Sequence, residues 1–319
     1  MAKVRLIAPI GPTGLYKVAR ELARKISEMG YKVEWLDVET PTNLDAAVLV
    51  GHANHLAFWR NKIKTVIPYL VTEGPIDEKA SEELKRIGHA YVMSEFSADL
   101  ISKAGASASV AYPAFYEVET MWPLREVVKP FDVAAVLSLH TAKEVLYRKG
   151  VDLIDASMRI TEYLFAINKH LANVINTTMA RTVIFTGDSD NDIYTLLSLS
   201  KVLLYPSRSE GFGLPVYEAN ALGVPAVFLN VPALDEFACG FPVDVKNEPK
   251  ILRMDYKGIM WSMYAWEPKS KNKIIDTLKD ALLHYDKHIN YCKNSSNTIK
   301  KLSEKQVEEL LKHIIELFS

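Results

Sequence analysis

The stretch from Val202 to Phe228 restricts this chain more than any other. An apolar run, Val202-Leu203-Leu204, reads as the end of a buried strand. It runs into Tyr205-Pro206-Ser207-Arg208-Ser209-Glu210-Gly211-Phe212-Gly213-Leu214-Pro215, and then into Val216 to Leu222, which reads as a short helix. Gly211 and Gly213 carry no Cβ and let the backbone approach a ligand closely. Pro215 suits a first helical turn, where its missing N–H costs nothing. Gly223 suits the position after the helix, and Val224-Pro225-Ala226-Val227-Phe228 starts a new strand. A strand, a glycine loop and a helix N-terminus in succession make a site for an anion such as a phosphate.

Two carboxylates bracket the loop, Glu210 just before the glycines and Glu218 about one turn inside the helix. A carboxylate accepts two or more hydrogen bonds, so each can hold a pair of neighbouring sugar hydroxyls. One anion site between two hydroxyl clamps matches a nucleotide diphosphosugar. The plain alternative is a tight turn with two solvated glutamates.

The run Glu210-Gly211-Phe212-Gly213-Leu214-Pro215, with Glu218 eight residues after Glu210, resembles the paired-glutamate motif of the retaining glycosyltransferases of family 4, in a short member of archaeal or viral type. Ala219 to Val227 follows that family's usual continuation. The resemblance implies an α/β fold of GT-B architecture, two Rossmann-like domains facing a central cleft. The expected boundaries are 1–125 for the acceptor-side domain, 126–300 for the nucleotide-sugar domain, and 301–319 for a helix crossing back to the first domain. It implies retaining, metal-independent hexosyl transfer. Glu210 would orient the sugar, Glu218 would hold the ribose, and Gly211, Phe212, Gly213 and Leu214 would line the donor site.

Arg148-Lys149-Gly150 also resembles the family's pattern, which makes Lys149 the expected cationic clamp on the diphosphate, with Arg148 beside it. One position departs from it. The family's glycine-arginine pair is replaced by Leu139-His140. A neutral imidazole compensates charge less well than a guanidinium, so His140, Arg148 or Arg208 is expected to take that role. On the acceptor side of the cleft the resemblance points to Gly14, His52 and Glu73.

Composition narrows the alternatives. The 319 residues suffice for two domains, and a formal net charge of −1 offers no basic field for nucleic acid. Two cysteines, Cys239 and Cys292, are too few for a disulfide framework or a zinc site, which points to a reducing, cytoplasmic setting. No apolar run approaches the ~18 residues that span a bilayer, so membrane contact would be peripheral. No cofactor or essential metal is expected. The partners are a nucleotide-sugar donor and an acceptor left open among lipid, glycan and protein.

The remaining chain alternates strands and helices. Val4 to Ile10, Tyr16 to Met29 and Tyr31 to Leu36 form an opening βαβ unit, and Val18, Leu22, Ala23 and Ile26 give its helix an apolar stripe. Further strands are expected at 46–51, 65–72, 91–94, 109–113 and 131–137, with a linker between Pro113 and Pro130. His52 and His55 lack the third ligand a metal site needs, so a polar cluster at a strand end is expected. Gly187-Asp188-Ser189-Asp190-Asn191-Asp192 resembles the magnesium-holding motif of haloacid-dehalogenase-type phosphatases, but an early nucleophilic Asp-x-Asp is missing. A helix cap from Asp190 or Asn191 is the competing expectation. Loss of turnover in a sugar-nucleotide-binding protein is a third. Tyr256, Trp261, Tyr264 and Trp266 suit either sugar stacking or packing, and amphipathic helices are expected over 274–285 and 304–317.

Overall fold

The apolar runs become parallel strands because helices cover both of their faces, which lets Val4, Leu6, Ile7, Val48, Leu49 and Val50 all be buried within two strands. The computed structural model describes residues 2–11, 13–118, 129–137, 142–160, 162–175, 181–187 and 189–319. Contacts divide the chain into two units: Met1–Tyr116 with Ile251–Tyr264 and Lys300–Ser319, and Glu117–Lys250 with Ala265–Ile299.

In the first unit, six strands lie in the order β2-β1-β3-β4-β5-β6. They are β1 (Lys3–Ala8), β2 (Lys32–Asp37), β3 (Leu44–His52), β4 (Ile63–Val71), β5 (His89–Val92) and β6 (Ser107–Val110), and each pair is parallel. The helices are α1 (Gly14–Glu28), α2 (Leu56–Trp59), α3 (Glu78–Ile87) and α4 (Glu95–Lys103). Val18, Leu22 and Ile26 of α1 are buried at the spacing read from the sequence, and the Thr13 hydroxyl caps the helix by accepting the Tyr16 N–H at 3.2 Å. Trp59 fills one side of the core and donates its indole N–H to the Val38 carbonyl at 2.7 Å.

A hairpin of β13 (Lys250–Tyr256) and β14 (Ile259–Ala265) contributes Ile251–Tyr264 to this unit. Tyr256 donates to the Glu39 carboxylate at 2.7 Å, Asn54 donates to the Met260 carbonyl at 3.2 Å, and Tyr264 N–H to the Glu73 carbonyl at 2.8 Å. Trp261 stacks on His52 with ring centres 4.6 Å apart. Packing, not an open stacking platform, therefore accounts for Tyr256 and Trp261.

The second unit carries β7 (Phe131–Ala135), β8 (Phe165–Asn168), β9 (Thr182–Phe185), β10 (Ser200–Tyr205), β11 (Ala226–Leu229) and β12 (Gly240–Val243). Their order is β12-β11-β10-β7-β8-β9. This is the doubly wound arrangement, in which the sequence order reverses between β7 and β10. Between the strands lie α5 (Lys143–Arg148), α6 (Val151–Ile160), α7 (Lys169–Ala172), α8 (Asp190–Ser198), α9 (Leu214–Ala221) and α10 (Pro232–Asp235).

The two expected C-terminal helices are one, α11 (Lys271–Phe318), 48 residues long. No glycine or proline occurs between Lys271 and Phe318, so nothing breaks it at the Asn-Ser-Ser-Asn stretch of 294–297. Ile274, Leu278, Ala281 and Cys292 bury one stripe in the second unit, and Val307, Leu310 and Ile314 bury another in the first. None of the helices among the described residues is long and apolar enough to cross a membrane.

The two cysteines form a pair that the sequence reading did not anticipate. Cys239, just before β12, and Cys292, within α11, are joined by a disulfide across 53 residues. A single cross-link needs no framework of many cysteines, so the cysteine count does not argue for a reducing compartment. Cys292→Ser should lower the free energy of unfolding by about 2–4 kcal/mol. Denaturant melts with and without reductant should show the wild type, once reduced, matching the variant; identical oxidised and reduced wild-type curves would show that the bond is not formed.

Candidate active site

The glycine loop follows β10 at the carboxyl end of the sheet, beside the strand pair where the order reverses, the place where open parallel sheets bind ligands. Gly213 is the N-cap of α9 at φ +105°, a conformation costly for any residue with a Cβ. A Cβ there would also lie 2.3 Å from Leu234 Cδ2. Because the cap is a glycine, it offers no side-chain hydrogen bond to the first turn of α9. Of its amides, Val216 N–H and Tyr217 N–H turn back onto the Gly213 carbonyl at 3.0 and 3.3 Å and Pro215 has none, so it is the Leu214 N–H and the loop before it that face an anion. Pro215 stands in that first turn, as expected.

Around this turn the structure assembles three polar side chains. Lys149 Nζ lies 2.5 Å from Glu210 Oε1 and donates to the Tyr205 hydroxyl at 3.2 Å. Tyr205 in turn donates to the same Glu210 oxygen at 2.8 Å. Glu210 is only 6% exposed. Burial alone pushes its carboxyl up, but the charges of Lys149 and Arg148 and hydrogen bonds from Lys149 and Ser207 outweigh that and hold it below the ordinary range. Glu210 therefore stays ionised at neutral pH, with Lys149 as its counter-charge.

The Arg148-Lys149-Gly150 turn is tied to the loop by its backbone. Arg208 N–H donates to the Arg148 carbonyl at 2.7 Å, and the Arg148 guanidinium reaches the Ser209 carbonyl at 3.4 Å. Gly150, at φ +68°, passes so close to Pro206 that a Cβ would lie 2.1 Å from its carbonyl oxygen. Only glycine allows this approach.

Two expected site residues, Arg208 and Phe212, are engaged away from the loop's open side, while Gly211, Leu214 and Glu218 stand in the loop and α9. Arg208 is fully buried and forks onto Asp152 at 2.7 and 2.9 Å, so it does not replace the missing arginine. The Phe212 ring lies flat against Phe237 at 4.3 Å and braces the loop from behind. Gly211 is buried, Leu214 opens α9 half-buried, and Glu218 is buried within α9. His140, with Leu139, lies outside the described residues.

Gly14, His52 and Glu73 belong to the first unit: Gly14 opens α1, His52 ends β3 and Glu73 lies two residues beyond β4. His52 is buried, and its Nδ1 accepts the Asn54 N–H at 3.2 Å. His55 Nδ1 accepts the His52 N–H at 3.0 Å, and burial lowers the His55 pKa to about 4. The two rings thus cap a turn, each with Nδ1 on a backbone amide.

The acidic stretch also resolves into a cap. Ser189, not Asp190 or Asn191, is the N-cap of α8: its hydroxyl accepts the Asp192 N–H at 3.2 Å, and the Asp192 carboxylate accepts the Ser189 N–H at 3.0 Å. Asp188 lies outside the described residues. Among the described residues no three His, Cys, Asp or Glu side chains converge as a metal site would require.

Two contributors escaped the sequence reading. Tyr205 reads only as the first residue of the stretch after the apolar run, although its hydroxyl is the group that joins Lys149 to Glu210. Asn220 sits in an apolar helix end and there bonds the Val224 and Cys239 carbonyls at 3.1 and 2.9 Å and the Cys239 N–H at 2.8 Å. A lone amide among Ala and Leu in a buried helix was the available signal.

With the geometry in place, the family model "Glycosyl transferases group 1" matches residues 171–248, the span that contains the glycine loop and α9. ORF330 of Acidianus filamentous virus 2 (isolate Italy/Pozzuoli), named for a proposed glycosyltransferase activity, is 23% identical over 286 residues, covering 85% of this chain and 77% of its own. Sucrose-phosphate synthase from Thermosynechococcus elongatus superposes with a TM-score of 0.70 at 13% identity, covering 99% of this chain and 100% of that one. Anabaena HepE, in complex with UDP and glucose, gives 0.66 at 12% identity, covering 98% and 100%. The fold is the GT-B class, built of two Rossmann-like domains. The chain is an enzyme of the glycosyltransferase kind.

Glu210→Gln should destabilise the protein at about pH 7 and progressively less on acidification. The folded-state pKa of Glu210 is depressed, so its contribution is present above the unfolded pKa and lost as the pH falls through the folded one. Denaturation of both proteins from neutral to acidic pH measures the gap, which should narrow as the pH falls; a gap that stays constant would mean that Lys149 does not stabilise the charge. Gly213→Ala should cost on the order of 1–3 kcal/mol from its backbone conformation alone, read by the same melts.

Proposed function

We propose that the chain transfers a sugar from a nucleotide diphosphosugar to an acceptor hydroxyl, retaining the anomeric configuration and requiring no metal. The observation that carries this reading is Lys149 held at buried Glu210 and Tyr205 beside the glycine-capped N-terminus of α9. The likeness of the sequence around Glu210 and Glu218 to the family 4 motif supports it, as does the UDP and glucose bound by HepE.

In this reading the bond between the sugar anomeric carbon and the diphosphate oxygen breaks, and its electron pair stays on that oxygen. Lys149 and the amides from Gly211 to Leu214 face the charge that develops there, where fixed donors stabilise it most. The acceptor oxygen bonds to the anomeric carbon on the face the leaving group vacates, and its proton passes to the departing phosphate oxygen. Glu210 orients the sugar hydroxyls and keeps Lys149 placed, and Glu218 accepts from the ribose hydroxyls. Arg148 adds positive charge next to the clamp. Acceptor binding is assigned to the start of α1 at Gly14 and to the strand ends that carry His52 and Glu73. The acceptor class stays open among lipid, glycan and protein. A cytoplasmic setting, at a membrane surface where the acceptor is a lipid, belongs to this reading, although the Cys239–Cys292 pair takes away the cysteine count as its support.

Thermal melts with UDP, GDP, ADP and their sugar conjugates, in EDTA and in magnesium, test the donor site. A ligand at 100 times its dissociation constant adds about 2.7 kcal/mol. One nucleotide should stabilise the protein in EDTA, and Lys149→Ala and Glu218→Ala should abolish the shift. Glu210→Ala should bind that nucleotide and lower sugar transfer by at least about tenfold. Stabilisation that depends wholly on magnesium would overturn the metal-independent reading.

A further inference from the structure

Arg208 is a charged side chain with no exposure at all, and such a group persists only where its surroundings compensate it. Its Nη1 donates to the Tyr147 carbonyl at 2.6 Å and to Asp152 Oδ1 at 2.7 Å, and Nη2 donates to Asp152 Oδ2 at 2.9 Å. The guanidinium carbon sits 4.1 Å from the centre of the Tyr147 ring, and Nε lies 3.3 Å from Glu267. Glu267 also accepts the Tyr147 hydroxyl. At the backbone, Arg208 N–H donates to the Arg148 carbonyl at 2.7 Å and Arg208 O accepts the Trp266 N–H at 2.9 Å. All of these residues lie in the second unit.

These contacts share one topological consequence. Tyr147 closes α5 from within, Asp152 opens α6, and Lys149 lies in the turn between them. Arg208 holds both sides of that turn from two residues before Glu210. A bidentate guanidinium–carboxylate pair fixes direction as well as distance. The Asp152 carboxyl is raised by burial but brought net below the ordinary range by its bonds and charge interaction with Arg208, so the fork is an ion pair at neutral pH.

We propose that Arg208 is the positioning residue of the donor site: through Tyr147 and Asp152 it sets where Lys149 stands relative to Glu210, without touching a ligand. This rests on the reading of Lys149 as the diphosphate clamp only for its catalytic meaning; the geometric claim stands apart from it. A lysine at 208 would keep the charge but lose the fork and the planar stacking on Tyr147.

Two measurements test it. The first needs no ligand. A double-mutant cycle of Lys149→Met and Glu210→Gln, read by denaturant melts, is run in the wild-type background and again with Arg208→Lys. The coupling between Lys149 and Glu210 should be present in the first and lost in the second. If Arg208→Lys does not fold, Asp152→Asn, at a position whose side chain is 40% exposed, replaces it and should weaken the coupling in the same direction.

The second measurement is calorimetric titration with UDP, GDP and ADP and with the matching monophosphates. Arg208→Lys should weaken binding of the preferred diphosphate by roughly tenfold, leave the monophosphate unchanged, and add nothing to Lys149→Ala. Coupling that survives intact in the Arg208→Lys background would overturn the positioning role. Coupling lost while the wild type shows no preference for a diphosphate over its monophosphate would uphold the positioning role and overturn the donor reading instead. A loss in Arg208→Lys that falls equally on diphosphate and monophosphate would reduce Arg208 to a structural residue.

Discussion

The burial of a carboxylate at the end of a parallel strand is the constraint from which the second unit follows. Glu210 is shut away from water, and an isolated charge there would be expensive. Lys149 and Tyr205 meet it: Tyr205 ends β10 five residues before it, whereas Lys149, just before α6, is 61 residues away and reaches it only through the fold. The close passage of Gly150 by Pro206, and the fork of Arg208 onto Asp152, bring the two segments to that distance. Charge compensation and backbone packing thus enforce one another, because the pair forms only if the turn packs, and the turn packs only around a glycine.

The same logic extends outward from the loop. Phe237 lies against Phe212, and Leu234 fills the space beside Gly213. Asn220 then ties α9 to the backbone of Cys239, whose sulfur is bonded to Cys292 in α11. The glycine loop is braced from behind by an aromatic pair, an amide and a covalent bond. A loop that must present backbone amides to an anion works best when little of it reorganises on binding.

In the first unit the strand ends carry a different chemistry. His52 and His55 are buried and engaged with backbone amides, His55 is held neutral by its burial, and Trp261 stacks on His52. The hairpin that supplies Trp261 arrives from some two hundred residues along the chain. Its aromatic residues are spent largely on docking, with Tyr256 bonded to Glu39 and Trp261 covering the imidazole. Aromatic content in a segment says that it packs or stacks, but not on what.

Periodicity and local stereochemistry made much of this legible from the chain alone. The strand before the glycine loop, Pro215 in the first turn of α9, the stripe of α1 and the alternation of strands and helices all depend on residues close together in sequence. The residues from Glu210 to Val227 carried the class of protein as well, because that pattern is local. Other features depend on which distant segments meet. Nothing near Arg208 in sequence distinguishes a cation that reaches a ligand from one buried against Asp152, and nothing near Tyr205 gives its hydroxyl a role until Lys149 is beside it. Cys239 and Cys292 become a bond only because α11 passes β12, and α11 is one helix because no residue interrupts it while burial in both units sustains it. The sequence by itself determined the elements and the glycine turn, since these are set by backbone sterics and short-range patterning. The tertiary structure alone decided which charges pair, since the compensation of a buried charge depends on distances that local sequence does not encode.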